Sequence, residues 1–319
     1  MRIAFGILSS NNTAAAIQQI IDAIGPGHTV IIHHDFSKQP DFHVSGDDVH
    51  VIEDYVTTGW GGWSLVEATL RLMETAIARG EFDYFQLLSD TCLPVRPVEE
   101  FVDYLATVRP DANIDHVSLR DVPAVMMSHG YRAFAAKDTM RHKLLRRLKY
   151  WRERRDAEYQ EIAGLAVHTE RDKNACRAAL FDPQQLVLQL AARGRGFSHP
   201  FGRDFECHAG SQWFGCSRAV CHGVLEWVRE HAEAFAHFKT MYGPDEFFFH
   251  SVIVNMRPLN IQKSNHLINT FDAAAGQRGP AFLESGDLDR LISSGKYFAR
   301  KFPKEPGHPL RIDMIRRCA

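Results

Sequence analysis

From residue 2 to residue 107, short apolar runs alternate with amphipathic stretches across brief links. That alternation restricts the fold more than any other feature of the chain. Residues 2–9 are a buried-strand run, and Asn12 and Thr13 offer caps for a helix to about Ile24, stopped by Gly25-Pro26-Gly27. Thr29 to His34 and Val49 to Ile52 read as the second and third strands. Ser64, with Glu67 three residues later, reads as a capping box opening a helix to about Arg79, with Leu65, Ala68, Leu72 and Ala76 on one face. Tyr84 to Leu88 is a fourth strand, and residues 98–107 a further helix. Strands joined through helices over short links predict an α/β fold with a mostly parallel sheet covered on both faces. Ligands of such sheets sit at the carboxyl ends of the strands.

An apolar fraction of 45% over 319 residues supports a sizeable core. The net charge of −2 offers no global attraction for nucleic acid. No apolar run approaches the roughly 18–20 residues of a membrane span, and the first residues enter a core strand without a leader pattern, so the expected location is cytoplasmic. The six cysteines are scattered, none in a C-x-x-C pair, as in reduced thiols. The segment 137–155 stands apart. Lys137, Arg141, Lys143, Arg146, Arg147, Lys149, Arg152, Arg154 and Arg155 interleave with Leu144, Leu145, Leu148 and Trp151 on one predicted helix. It reads either as a solvated helix packed by its Leu face or as a basic amphipathic surface for an acidic acceptor or for peripheral contact with an anionic membrane.

The common catalytic signatures are missing: G-x-S-x-G, H-E-x-x-H, the Walker loop and G-x-G-x-x-G. Cys207, His208, Cys216, Cys221 and His222 do not have zinc-ligand spacing. Asp287-Leu288-Asp289 is a D-x-D of the kind that can hold a divalent ion on a diphosphate. Its place before a helix favours N-capping by Asp287. In the last third, Ser211 to Cys216 reads as strand and Arg218 to His231 as helix. Pro244 sits where a helix N1 proline belongs, with Asp245 and Glu246 in its first turn and a buried helix continuing through Val254.

Several segments together carry a resemblance. Arg2-Ile3-Ala4-Phe5, Ile31 to Asp35, Trp60-Gly61-Gly62-Trp63-Ser64, Phe85 to Pro94, Gly210-Ser211-Gln212-Trp213, Pro244 to His250 and Tyr297 to Phe302 occur in this order. They resemble the motifs of the core-2/I-branching enzyme and peptide O-xylosyltransferase family, glycosyltransferase family 14. The resemblance implies a GT-A fold, here a single domain over 1–319. Residues 1–110 would be its nucleotide-binding half, 111–204 a variable region with the basic helix, and 205–319 the acceptor and catalytic half. It implies inverting transfer of GlcNAc or xylose from a UDP-sugar to a glycan or glycolipid hydroxyl, with no metal and no other cofactor.

Inverting transfer is one in-line displacement at the anomeric carbon. It needs a base for the acceptor hydroxyl and positive charge on the departing diphosphate. The resemblance puts Glu246 in the first role and Arg278, Arg300 and Lys301 in the second. It puts Asp35 at the uridine, with Trp60, Gly61 and Ser64 bordering the nucleotide, and Ser211, Gln212 and Trp213 at the acceptor. Each has a plainer reading: Asp35 as a turn cap, Trp60 as core, Ser64 as a helix cap, the acidic pair as complement to a helix dipole, the cations as surface charge. Trp213 reads equally as a stacking platform or as core. Cys92 and Gln212 depart from the family pattern, the second from the Asp of xylosyltransferases. The anchor and disulfide cysteines of secretory members are missing too, which suggests a bacterial-type relative acting on a surface-polysaccharide precursor. The alternatives are a metal-dependent transferase using Asp287 and Asp289, or a non-catalytic glycan- or membrane-binding protein.

Overall fold

A computed structural model describes residues 1–140, 142–144, 146–147, 159–168, 186, 199–256, 259–270 and 280–318. Arg278 and much of the basic segment 137–155 lie outside the described residues. The strands are β1 (Ile3–Ser9), β2 (Thr29–His34), β3 (Val49–Val51), β4 (Tyr84–Ser89), β5 (Leu93–Pro94), β6 (Ala112–Ile114), β7 (Val117–Ser118), β8 (Tyr159–Ile162), β9 (Leu165–His168), β10 (His208–Ala209), β11 (Phe214–Ser217), β12 (Ile261–Gln262), β13 (Leu267–Ile268) and β14 (Phe298–Ala299). Seven of them form one sheet in the order β12-β6-β11-β4-β1-β2-β3. Its strands come from the first, middle and last parts of the chain. β1 pairs in parallel with β2 and β4, and β2 with β3, whereas β11 runs antiparallel to both β4 and β6. The architecture is therefore a mostly parallel α/β sheet flanked by helices, GT-A-like as the alternation and the resemblance imply.

The local chemistry explains most elements. α1 (Ala14–Ile24) is capped by Thr13, whose hydroxyl accepts from the Ala16 N–H at 3.2 Å. Its buried Ile17, Ile20, Ile21 and Ile24 face the sheet, each contributing about 1.5–3 kcal/mol by burial. α2 (Ser64–Arg79) and α3 (Val98–Val108) follow the predicted spans closely. α4 (Pro123–Phe134) comes next, then α5 (Arg218–Glu230), α6 (Ala232–Thr240), α7 (Phe248–Asn255), α8 (Leu288–Ser293) and α9 (Pro309–Cys318). β11 is shorter than the predicted 211–216 strand, because the backbone of residues 210–211 bonds outside any ladder.

A second, three-stranded sheet, β13-β14-β5, ties the C-terminal part to the end of β4. β14 pairs antiparallel with β5, and the Phe302 N–H donates to the Thr91 carbonyl at 2.9 Å. α9 locks this arrangement through Arg311, which is fully buried. Its guanidinium donates to Gln19 Oε1 at 2.8 Å, to the Ala16 carbonyl at 2.8 Å and to the Pro303 carbonyl at 3.1 Å. Burial lowers its pKa to about 10, with the charge of Glu305 opposing. Arg311→Met keeps the bulk and deletes all three bonds. It is expected to cost about 2–4 kcal/mol of stability in urea denaturation.

Candidate functional site

β1, β2 and β4 end side by side, since the Asp35 N–H donates to the Ser9 carbonyl at 2.9 Å and the Asp90 N–H to the Leu8 carbonyl at 2.9 Å. Asp35 is buried, and both of its oxygens are engaged. Oδ1 accepts from the Ser37 hydroxyl at 2.6 Å and N–H at 3.2 Å; Oδ2 accepts from the Thr58 N–H at 2.8 Å and hydroxyl at 2.9 Å, with Lys38 Nζ at 3.2 Å. Burial would raise its pKa, but the donors from Ser37, Thr58 and Lys38 outweigh it and hold the carboxyl below the usual range. Asp35 thus fixes loop 56–63 to the end of β2. The capping box expected at Ser64 is not formed. Trp63 occupies the cap position without a side-chain bond, and Ser64 Oγ turns back to accept the Gly59 N–H at 2.9 Å. Ser64 is already inside the first helical turn, past the position from which a hydroxyl caps. Trp60 is 71% exposed and meets the Tyr242 ring edge-on at 6.0 Å.

The expected helix from Pro244 is broken. Pro244–Glu246 is one 3-10 turn, Phe247 leaves helical geometry at φ −130°, and α7 begins at Phe248. Gly243, at φ +68°, starts the turn and donates to the Gly61 carbonyl at 3.0 Å. The Glu246 carbonyl, which a continuous helix would direct to the fourth residue on, accepts the Gly210 N–H at 3.0 Å. Only glycine fits at 210: a Cβ would stand 1.9 Å from the Asp115 carbonyl oxygen.

The Glu246 side chain is 26% exposed. Oε2 is ion-paired and hydrogen-bonded with Arg132 Nη1 of α4, and lies 3.7 Å from His129 Nε2 one turn earlier. Among the described residues no hydrogen bond reaches Oε1. The Arg132 guanidinium lies over the rings of Tyr242 (5.3 Å) and Tyr131 (5.8 Å), and its Nε donates to the Tyr131 hydroxyl at 3.2 Å. Burial alone would lower the Arg132 pKa; Glu246, then Tyr131 and Tyr242, reverse this and raise it. Asp245 is buried, with no partner for Oδ1 among the described residues, and burial, then the Glu246 charge, push its carboxyl up to about 7. The sequence reading missed Arg132 and His129. Their signal was an Arg and a His three residues apart, on one face of an otherwise apolar or small-residue stretch, 123–134.

Arg300 follows β14 and places its guanidinium 4.6 Å over the Trp213 ring. Trp213 is 5% exposed, so its ring supports Arg300 from below. Arg300 Nε is buried without a partner among the described residues. Burial lowers the pKa of Arg300, against the pull of Cys92 and Asp90, and burial followed by Arg300 lowers that of Lys301. Lys304 donates to the Asn11 carbonyl at 3.0 Å, bringing a third cation to the end of β1. Residues 210–213 connect the two halves of the site, with Gly210 on Glu246 and Trp213 under Arg300. Between them the Ser211 N–H donates to the Ala163 carbonyl at 2.8 Å, and the Ser211 carbonyl accepts from His250 Nε2 at 2.9 Å. Gln212 Nε2 is buried with no partner among the described residues.

Other candidates lie elsewhere. Asp287 does not cap α8. It bonds the Glu284 N–H at 2.8 Å and Arg290 Nη2 at 2.8 Å, as the far end of a capping box begun by Glu284, while Asp289 is exposed. Those two partners outweigh the upward effect of burial and lower its pKa. Cys216 and Cys221 are buried with sulfurs 3.5 Å apart, and Cys207 is core. Among the described residues, no group of three or more His, Cys, Asp or Glu is placed to hold a metal ion, and no helix is long and apolar enough to cross a membrane.

Comparison with known protein families matches the Core-2/I-Branching enzyme family to residues 3–281. That span takes in Asp35, Trp60, Arg132, Trp213 and Glu246 and stops before Arg300. A search of the curated proteins gives no match.

The state of Asp245 has a consequence for stability. Its folded pKa of about 7 lies above the ordinary carboxylate range, so between the two values the folded chain holds a proton that the unfolded chain releases. The stability this contributes is complete below the unfolded pKa and lost as pH rises through the folded one. Asp245→Asn is therefore expected to raise the melting temperature relative to the parent at pH 8 and much less at pH 5, read by thermal denaturation at both values.

Proposed function

The chain belongs to the core-2/I-branching enzyme family and is a glycosyltransferase of that type; from this premise we propose that it moves a sugar, GlcNAc or xylose, from a UDP-sugar to a glycan or glycolipid hydroxyl with inversion, without a metal, and with Glu246 as the base. The observation that carries the reading is the state of the Glu246 carboxylate. Arg132 clamps Oε2, and among the described residues Oε1 has no hydrogen-bond partner in a side chain 26% exposed.

In the proposed step, Oε1 takes the proton of the acceptor hydroxyl. The hydroxyl oxygen forms its bond to the anomeric carbon as the bond from that carbon to the diphosphate oxygen breaks, and the electron pair leaves with UDP. Arg300 and Lys301 receive the growing negative charge, joined by Arg278 as the resemblance implies. The unpartnered Nε of Arg300 has a donor to offer an anion, and Trp213 holds that guanidinium in place. The nucleotide is assigned to the ends of β1, β2 and β4. Asp35 organises loop 56–63, whose Trp60, Gly61 and Ser64 border the donor. Ser211 and Gln212 lie along the path between base and cations, where the Gln212 amide has a free donor for a hydroxyl.

Glu246→Gln is expected to lower turnover by about 10²–10⁴-fold while UDP affinity measured by calorimetry in EDTA stays unchanged. Turnover near that of the parent would remove Glu246 from the role of base. UDP binding that vanishes in EDTA and returns with Mn²⁺ would overturn the metal-free donor site.

A further inference from the structure

Beyond α4 the chain is fastened to residues 240–241, just before the turn that carries Glu246, and then presents an unusual outer face. Ala136 bridges to Met241, and the Lys137 N–H donates to the Thr240 carbonyl at 2.6 Å. Thr139 then caps a new helix, its hydroxyl accepting the His142 N–H at 3.1 Å. His142 is buried and stacks on Tyr242 at 5.7 Å and on Tyr131 at 6.1 Å. On the outside, Met140 and Leu144, one turn apart, are 81% and 58% exposed. Lys143, Arg146 and Arg147 are exposed beside them. Trp60 approaches Tyr242 from the other side and is itself 71% exposed.

Large apolar side chains held in water and ringed by cations fit one environment better than any other, the interface of an anionic bilayer. There the apolar groups enter the acyl boundary and the cations meet lipid phosphates. Nucleic acid would use the cations and gain nothing from Met140 and Leu144. The chain as a whole carries a net charge of −2, so the positive field is local to this face. We propose that the face bearing Met140, Leu144, Lys143, Arg146 and Arg147 docks on anionic phospholipid. Docking stands on this face alone. Its consequence, that Glu246 meets an acceptor carried on a lipid, rests on the function proposed above.

The test is flotation of the full chain with vesicles of phosphatidylcholine alone or mixed with phosphatidylglycerol, at low and high salt. The parent is expected to float with the mixed vesicles at low salt and not with phosphatidylcholine. The pair Lys143→Glu and Arg147→Glu, and separately the pair Met140→Ser and Leu144→Ser, are each expected to lower partitioning by about tenfold or more with UDP affinity unchanged. Glu246→Gln is expected to float as the parent does, so failure of the base assignment and failure of docking are read separately. Absence of flotation on phosphatidylglycerol vesicles overturns the proposal. So does flotation that ignores Met140 and Leu144 and is matched by equal binding to duplex DNA, the behaviour of a general polyanion surface.

Discussion

The ion pair between Arg132 and Glu246 sets the terms for everything around it. The turn at 244–246 carries two adjacent carboxylates, one buried and one partly so. Burial and mutual repulsion disfavour two charges there, so the Asp245 carboxyl is pushed up while Arg132 meets the charge of Glu246. A guanidinium brought there is itself costly to bury. Its charge is accommodated by the faces of Tyr131 and Tyr242 as well as by the carboxylate. Hence α4 must pass beside the turn, and hence an Arg and a His occur on a helix side that is otherwise core. The clamp divides the work between two oxygens, one fixed by the protein and one open.

Positioning of the turn relies on backbone as much as on charge. Gly243 reaches across to loop 56–63, and Gly210 takes the carbonyl that would have extended the helix. Residues 210–213 therefore act as a short spacer with Glu246 at one end and Arg300 at the other. At about 3.3 Å per residue the spacer spans at most roughly 10 Å, a scale that suits a sugar held between a hydroxyl and a diphosphate. Arg300 arrives there because β14 is hydrogen-bonded to β5, just past the end of β4, so the final segment is built onto the strand ends that the first segment lays out.

How much of this could be read in the sequence depended on whether the cause was local. β1, β2, β4, α1, α2 and α3 were legible because continuous apolar runs and spaced apolar faces record burial directly. The antiparallel direction of β11 was not, since a four-residue strand with three buried residues looks alike in either direction. The two-residue strands β5, β13 and β14 carry no periodicity at all. Ser64 and Pro244 misled for one reason. Both are ordinary helix-start residues whose preference was overridden by a competing backbone partner, the Gly59 N–H five residues before Ser64 in the first case and the Gly210 N–H, far off in the chain, in the second. Glu246, Trp213 and Arg300 were named through ordered motifs. The link of Trp213 to Arg300 is tertiary and leaves no trace in either segment alone. Arg132 belongs to no motif, and only its place inside an apolar helix marked it.

Tyr242 joins parts that the sequence keeps far apart. Its ring supports the Arg132 guanidinium, receives the edge of Trp60, stacks on His142 and lies 3.4 Å from where a side chain at position 61 would begin. The next residue is Gly243, the first pivot of the turn that carries Glu246. The Trp60 loop, His142 and the Arg132–Glu246 pair are therefore packed against one aromatic side chain. Close-packed interiors transmit displacements instead of absorbing them. Packing around His142 and geometry at the Glu246 carboxylate thus share one side chain, because the ring that stacks on His142 also carries the guanidinium that holds Oε2.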